Sequence, residues 1–283
     1  CRVFSTLAYY VRYKYMFKNF KTKGVLVANH YSPECTALAS AAHSKSIKVV
    51  FTNHAHVPER TAYITSLAVD LGLLTSEAVF KKLNVNLKQS MCYKLIGYEQ
   101  KKEQLKLGFN NDAKLTTGVF LTALTNKERV RKMVDRLHEF FPSGCILIRP
   151  HPVTLLKEDF SDIVKDYSTV EISQNTSLSN DVEKCDLALC GNTSAVIEIL
   201  KGGCPVLYDA KLDRIAYDYN GFVEGGLVFP FDEIDKQILT NLSAFYRREE
   251  WREVMNFFDG SYLNDSDMLL KEAEKEIKRV LDE

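Results

Sequence analysis

The chain has little of what a membrane-spanning, disulfide-stapled or nucleic-acid-binding protein shows. No apolar run reaches the ~20 residues that a spanning helix needs. Its 37 Lys and Arg residues are balanced by 37 Asp and Glu, so nothing in the net charge of zero draws it to nucleic acid. The seven cysteines are scattered and form no C-x-x-C pair, which excludes a zinc cluster of the usual spacing and a disulfide framework. Most stand in apolar runs, as in CILI (Cys145) and CDLALC (Cys185, Cys190), and read as small core residues of a reducing compartment. Three motifs are also missing. Without G-x-x-x-x-G-K-[ST] there is no P-loop, without G-x-G-x-x-G after a strand no dinucleotide fingerprint, and without G-x-S-x-G no nucleophile elbow. No secretory leader is expected. Cys1 rather than Met stands first, and the chain is expected to begin partway into a longer one.

What is present is alternation. Short apolar runs rich in β-branched residues alternate with longer helical patterns, the signature of an α/β architecture. VLVAN (Val25 to Asn29), IKVVFT (Ile47 to Thr52), LAVDLGLLTS (Leu67 to Ser76) and CYKLIGYE (Cys92 to Glu99) read as strand regions of a first block. PECTALASAAHSK and TSEAVFKKL read as its helices, started at Ser32 or Pro33 and at Ser76. Residues 99–113 are charged and then turn-rich, a linker pattern. A second block follows, with strands in KLTTGVFLTAL, CILIRPHP, STVEISQ, DLALCGN and PVLYD and an amphipathic helix in KERVRKMVDRLHEFF. Domains are expected over 1–98, 114–242 and a helical tail 243–283, around a linker at 99–113. The first lobe shows three or four strands where a whole Rossmann-like lobe carries six or seven, so it is expected to be incomplete. The segment Leu7 to Lys23 mixes aromatics with Lys and Arg and suits either a packed amphipathic helix or contact with a membrane surface.

In parallel α/β sheets ligands sit beyond the carboxyl ends of the strands, so the strand-to-helix loops are the informative ones. In CGNTSAVIEILKGG, Gly191 permits a sharp turn, and Asn192, Thr193 and Ser194 stand where free N–H groups favour a phosphate. Glu198 falls one helical turn after Ser194 and is placed to accept from ribose hydroxyls. The plainer reading is a helix cap, which accounts for one hydroxyl of the run. In ILIRPHPVT, Arg149 offers a bidentate anion contact. His151, held between two prolines, offers a proton to a phosphate or leaving oxygen. In the first block, His54 and His56 follow a strand, and VANHYSPE holds His30 and Glu34, the latter a candidate general base. No further Cys or His cluster makes the His-x-His pair a metal site.

LALCGNTSAVIEILKGGCPVLYDAKLDR resembles the donor-binding loop and helix of GT-B glycosyltransferases. IRPHP resembles the His-Pro motif of bacterial sialyltransferases, polysialyltransferases and capsule-polymer transferases. The resemblance implies a two-lobed GT-B fold in which His151 meets the donor phosphate, and Thr193 and Ser194 hold it where the family has Ser-Ser. It implies a base from the first lobe. His54-Ala55 stands where several members have His-Gly, a departure that bears on His54. It implies transfer of a sugar, with CMP- or CDP-linked donors favoured, onto a cell-surface glycan or lipid-linked glycan. No metal and no cofactor are implied, because positive side chains and helix N-termini offset the leaving phosphate. Work at the cytoplasmic face of a membrane is implied as well. Three alternatives stay open: a nonhydrolysing UDP-sugar 2-epimerase, a CDP-glycerol glycerophosphotransferase, and a nucleotide-binding lobe without turnover.

Overall fold

The structure, a computed structural model, describes residues 2–29, 32–53, 55–57, 68–86, 92–109, 114–152, 159–174 and 177–283. The chain forms two compact units, Cys1–Tyr98 with Asn256–Glu283 and Glu99–Met255.

The first unit opens with α1 (Arg2–Asn19), β1 (Gly24–Val27), α2 (Pro33–His43), β2 (Lys48–Thr52), β3 (Leu71–Leu74), α3 (Glu77–Asn86) and β4 (Tyr93–Leu95). Its four strands lie in the order β1-β2-β3-β4, all parallel. Both expected helix starts are found. Ser32 Oγ accepts from the Cys35 N–H at 3.1 Å with Pro33 at the first helical position, and Ser76 Oγ accepts from the Val79 N–H at 3.2 Å. Small residues (Ala37, Ala39, Ala41, Ala42) form the buried side of α2, so α1 and the sheet approach it closely.

The second unit holds β5 (Thr116–Phe120), α4 (Lys127–Phe140), β6 (Cys145–Arg149), α5 (Ser161–Asp166), β7 (Val170–Ile172), α6 (Leu178–Lys184), β8 (Leu187–Cys190), α7 (Ala195–Lys201), β9 (Val206–Tyr208), β10 (Phe229–Pro230), α8 (Ile238–Tyr246) and the start of α9 (Trp251–Phe258). The parallel sheet runs β10-β9-β8-β5-β6-β7. The chain therefore builds outward from β5 to β7, then returns and builds outward on the other side from β8. The strand order reverses between β5 and β8, and such a switch point opens a crevice at the carboxyl ends of the strands. Every residue of β8 is fully buried, as expected for a central strand covered on both faces. In α4 the buried residues Val130, Met133, Val134 and Leu137 follow the i, i+3, i+4, i+7 pattern that marked the helix in the sequence.

The stretch expected to be a linker is described over 99–109, where it runs along the second unit. The Glu103 and Lys106 N–H groups donate to the carbonyls of Lys201 and Gly203. The helical tail divides. α8 stays with the second unit, whereas α10 (Ser266–Asp282) packs Ile277 and Val280 on Val50 and Leu71 of the first. Two short elements, α5 and β10, carry too few residues for a periodic signal.

Candidate functional site

Strand register places the candidate loops of the second unit along one edge. Phe120 pairs with Arg149 on one side and with Cys190 on the other, and Cys190 pairs with Tyr208. The loops after β5, β6, β8 and β9 thus leave the sheet at one level. With neighbouring strands ~4.8 Å apart, the loops after β6 and β8 start about 10 Å from each other.

The switch point is closed from below by Asp213, which is 3% exposed. Its carboxylate accepts the Thr122 hydroxyl from the β5 loop and, at 2.5 Å, the Asn192 N–H from the β8 loop. Burial pushes this carboxyl above its usual range, against the pull of those two donors, and the charge of Asp209 adds to the push. The neighbouring backbone reinforces the staple: the Asn126 N–H donates to Leu212 O and the Arg214 N–H to Leu124 O. Three strand-end loops are therefore held as one piece. This contact also explains Gly191, since a Cβ there would lie 2.2 Å from the Asp213 carboxylate.

Asn192 ties the loop in the opposite direction. Its side-chain oxygen accepts from Tyr208 Oη at 2.6 Å and from the Tyr219 N–H at 2.9 Å. Its amide nitrogen donates to the carbonyls of Ile215 and Tyr217, and its own carbonyl accepts from Asn220 Nδ2. Those bonds use both acceptor positions and both donors of the side chain. Asn192 is thus engaged in holding segment 215–220, where the sequence had suggested a phosphate contact. Thr193 and Ser194 follow, both half-buried. Thr193 Oγ1 accepts from the Ala195 N–H at 3.3 Å, and Ser194 makes no side-chain capping bond. Glu198 sits half-buried one turn along α7.

Arg149 ends β6 as expected, but its guanidinium is bound by the protein. Nη1 donates to the Asp181 carboxylate, whose side chain is fully buried, and to Ser177 O at 3.3 Å. Ser173 Oγ also donates to Asp181, at 2.6 Å. A cation neutralised in this way orients the β6 end and loses most of its pull on a free anion. His151 follows Pro150 at the same edge and is half-buried.

In the first unit, Glu34 is exposed in the first turn of α2 and accepts from Tyr13 Oη at 2.9 Å. Burial, together with this carboxylate, pushes the Tyr13 phenol up to about 12. His56 is 5% exposed, with Nε2 3.2 Å from Lys82 Nζ and its ring against Phe258. His54 and His30 lie outside the described residues. The chain holds one Asp-x-Asp triplet, Asp265 to Asp267, in which Asp265 caps α10 by accepting from the N–H groups of Asp267 and Met268.

Asp213, Thr122, Tyr208 and Asp181 were not singled out as site residues from the sequence. Asp213 stands 21 residues beyond Asn192 and 91 beyond Thr122, so no local pattern links them. The usable signal was an Asp just after the PVLYD strand, facing a loop that begins with glycine.

No protein-family model and no curated protein sequence matches the chain. Solved structures match it along nearly its whole length. The S. aureus MnaA–UDP co-structure aligns with a TM-score of 0.62 at 15% identity, over 98% of this chain and 82% of that one. The calicheamicin glycosyltransferase CalG4 aligns with a TM-score of 0.61 at 14% identity, over 98% and 80%. The UDP-GlcNAc 2-epimerase from Neisseria meningitidis bound to UDP-GlcNAc aligns with a TM-score of 0.58 at 14% identity, over 95% and 81%. At such identities the likeness establishes the fold, a GT-B-type α/β fold of two Rossmann-like units, found in glycosyltransferases and in UDP-GlcNAc 2-epimerases alike.

Proposed function

We propose that this chain is a glycosyltransferase that binds a nucleotide-sugar at the carboxyl edge of the second unit's sheet and passes the sugar to a glycan acceptor. The observation that carries the reading is the staple at the switch point. Asp213 and Asn192 hold the β8 loop from within, which leaves the Thr193 and Ser194 hydroxyls at the sheet edge as donors for the leaving phosphate. Preorganised donors of this kind do not have to reorient as charge develops on the departing nucleotide. His151, one strand beyond β5, supplies a further donor or a proton to the same phosphate. Glu198 accepts from ribose hydroxyls. Arg149, neutralised by Asp181, positions the His151 loop. The base that deprotonates the acceptor is drawn from the first unit, where Glu34 and His54 are the candidates. Glu34 still has acceptor capacity beyond the bond from Tyr13.

The nucleotide is a pyrimidine. The His-Pro resemblance favours cytidine, whereas the UDP and UDP-GlcNAc carried by two of the similar structures put uridine beside it. The likeness to the UDP-GlcNAc 2-epimerase from Neisseria meningitidis supports epimerisation of a UDP-sugar at C2 as the second reading. The test is a thermal-shift titration with CMP, CDP, UMP, UDP and GDP, on this chain and on His151→Ala. A ligand that binds only the folded state stabilises it by roughly 2.7 kcal/mol at a hundredfold its Kd. A cytidine nucleotide that acts alone and loses its effect in the variant upholds the His-Pro donor site. If UDP binds and UDP-GlcNAc is converted to its C2 epimer without any acceptor, the transferase reading fails and the epimerase takes its place. If no nucleotide shifts the melting temperature, both readings fail.

A further inference from the structure

The outer face of α1 is built unlike a solvent-facing helix surface. Val3, Leu7, Val11 and Tyr15 are 75%, 58%, 60% and 69% exposed, and Phe4 is 73% exposed. Steps of four residues advance by about 40° around a helix, so these residues form one apolar ridge along the full length of α1. The opposite side does the packing: Tyr10, Tyr13, Met16 and Phe17 lie on the core shared with α2 and β2. A soluble helix that buries one side would carry polar residues on the other. Phe20, just past the helix, is 66% exposed as well.

The charge around this ridge is one-sided. Arg2, Arg12, Lys14, Lys18, Lys21 and Lys23 all precede Glu34, the first acidic residue of the chain. The rest of the chain holds 31 cationic and 37 acidic residues, so a segment of net +6 sits on a remainder of net −6. Lys23 is paired with Asp282 at 3.1 Å. Lys14 and Lys18 fall on the ridge side of the helix, Lys18 exposed and Lys14 half-buried with its Nζ 5.4 Å from the centre of the Tyr10 ring. Exposed aromatics and aliphatics between cations of a single sign suit one partner above others: a surface with an apolar interior and an anionic rim.

We infer that α1 docks the first unit onto an anionic lipid surface. The helix lies flat, Val3, Phe4, Leu7, Val11 and Tyr15 enter the boundary between headgroups and acyl chains, and the cations meet the lipid phosphates. A second copy of the chain fits less well, since two such faces would oppose like charges. The acidic remainder repels the same surface and thereby fixes which side of the unit faces it. The inference does not depend on the identity of the sugar donor.

The experiment is co-sedimentation of the whole chain with vesicles of phosphatidylcholine alone and of phosphatidylcholine with about one third phosphatidylglycerol. It is repeated at high salt, where the Debye length falls from about 10 Å to about 3 Å. Two variants accompany it, Leu7→Glu/Val11→Glu on the ridge and Lys14→Gln/Lys18→Gln beside it. Leu7 borders Tyr10, Ala37 and Ser40 and Lys14 lies over the Tyr10 ring, so circular dichroism melts check that each variant keeps the parent fold. Gel filtration with light scattering reports the mass in solution. The expected result is binding to anionic vesicles only, lost at high salt. Binding falls about fivefold for each cation removed and disappears in the ridge variant. The inference is overturned by equal binding to neutral vesicles, by no binding to either, or by a dimer that Leu7→Glu/Val11→Glu converts to monomer.

Discussion

Gly191→Ala is the sharpest test of the switch-point staple. The new Cβ would stand 2.2 Å from Asp213 Oδ2 and 3.1 Å from its carboxyl carbon, and the carboxylate is 3% exposed, so it cannot swing into solvent. Either Asp213 or the loop must move, and both routes break the bonds from Thr122 and from the Asn192 N–H. Hydrogen bonds to a charged group contribute roughly 1.5–3 kcal/mol each, so the expected loss for the two is about 3–6 kcal/mol in the second unit. Urea denaturation followed by Trp251 fluorescence reads this directly, because Trp251 is the chain's single tryptophan and is buried in that unit. Asp213→Ala and the double variant complete a cycle. Once the carboxylate is gone the methyl group meets only Leu212 Cβ, at 3.2 Å, so the double variant should be far less destabilised than the two single costs added together. A change below about 0.5 kcal/mol in Gly191→Ala, or costs that simply add in the double variant, would refute the reasoning.

Replacing Thr193 and Ser194 together by Val and Ala removes the two hydroxyls, and the nucleotide-induced rise in melting temperature should vanish while the melting temperature of the free protein moves little. Arg149→Met leaves the buried Asp181 carboxylate without its cation and should cost about 3 kcal/mol in urea denaturation, more than Arg131→Met on the exposed face of α4. Gly97→Ala places a Cβ 2.2 Å from Ser261 at a backbone φ of +68°, and should destabilise the first unit by about 2–4 kcal/mol in a calorimetric scan. Asp70 is lowered below its usual 3.8: burial pushes it up, but the Val49 N–H and His43, at 2.7 and 2.8 Å, outweigh that. A depressed carboxyl stabilises the fold above its unfolded value and stops doing so as pH falls through the folded value. Asp70→Asn should therefore be less stable than the parent at pH 7, with the gap closing below pH 3.8.

Much of the architecture was legible because it rests on local periodicity. The strands at Val25, Ile47, Thr116, Cys145 and Leu187 and the helix from Lys127 are continuous apolar runs or 3.6-residue patterns long enough to identify. Gly191 was read from the sequence as the pivot of a turn, whereas in the structure its neighbour across space, Asp213, leaves no room for a Cβ. Asn192 and Arg149 were identified as ligand contacts because each polar side chain was considered without its partners. Those partners, Tyr208 and Asp181, are 16 and 32 residues away.

The sequence by itself determined most of the strands and the longer helices, the α/β alternation, and that polar groups cluster after particular strands. These follow from side-chain spacing and crossover length. The tertiary structure alone decided which of those polar groups are engaged. The sheet order β10-β9-β8-β5-β6-β7 brings residues 122, 192 and 213 together, and a buried carboxylate must then be satisfied by whatever donors lie within reach. It decided the division of the tail too, since α10 covers Val50 and Leu71 of the first unit although the chain reaches it only after completing the second. Hydrogen-bond partners depend on distance in space, and a single sequence records distance only along the chain.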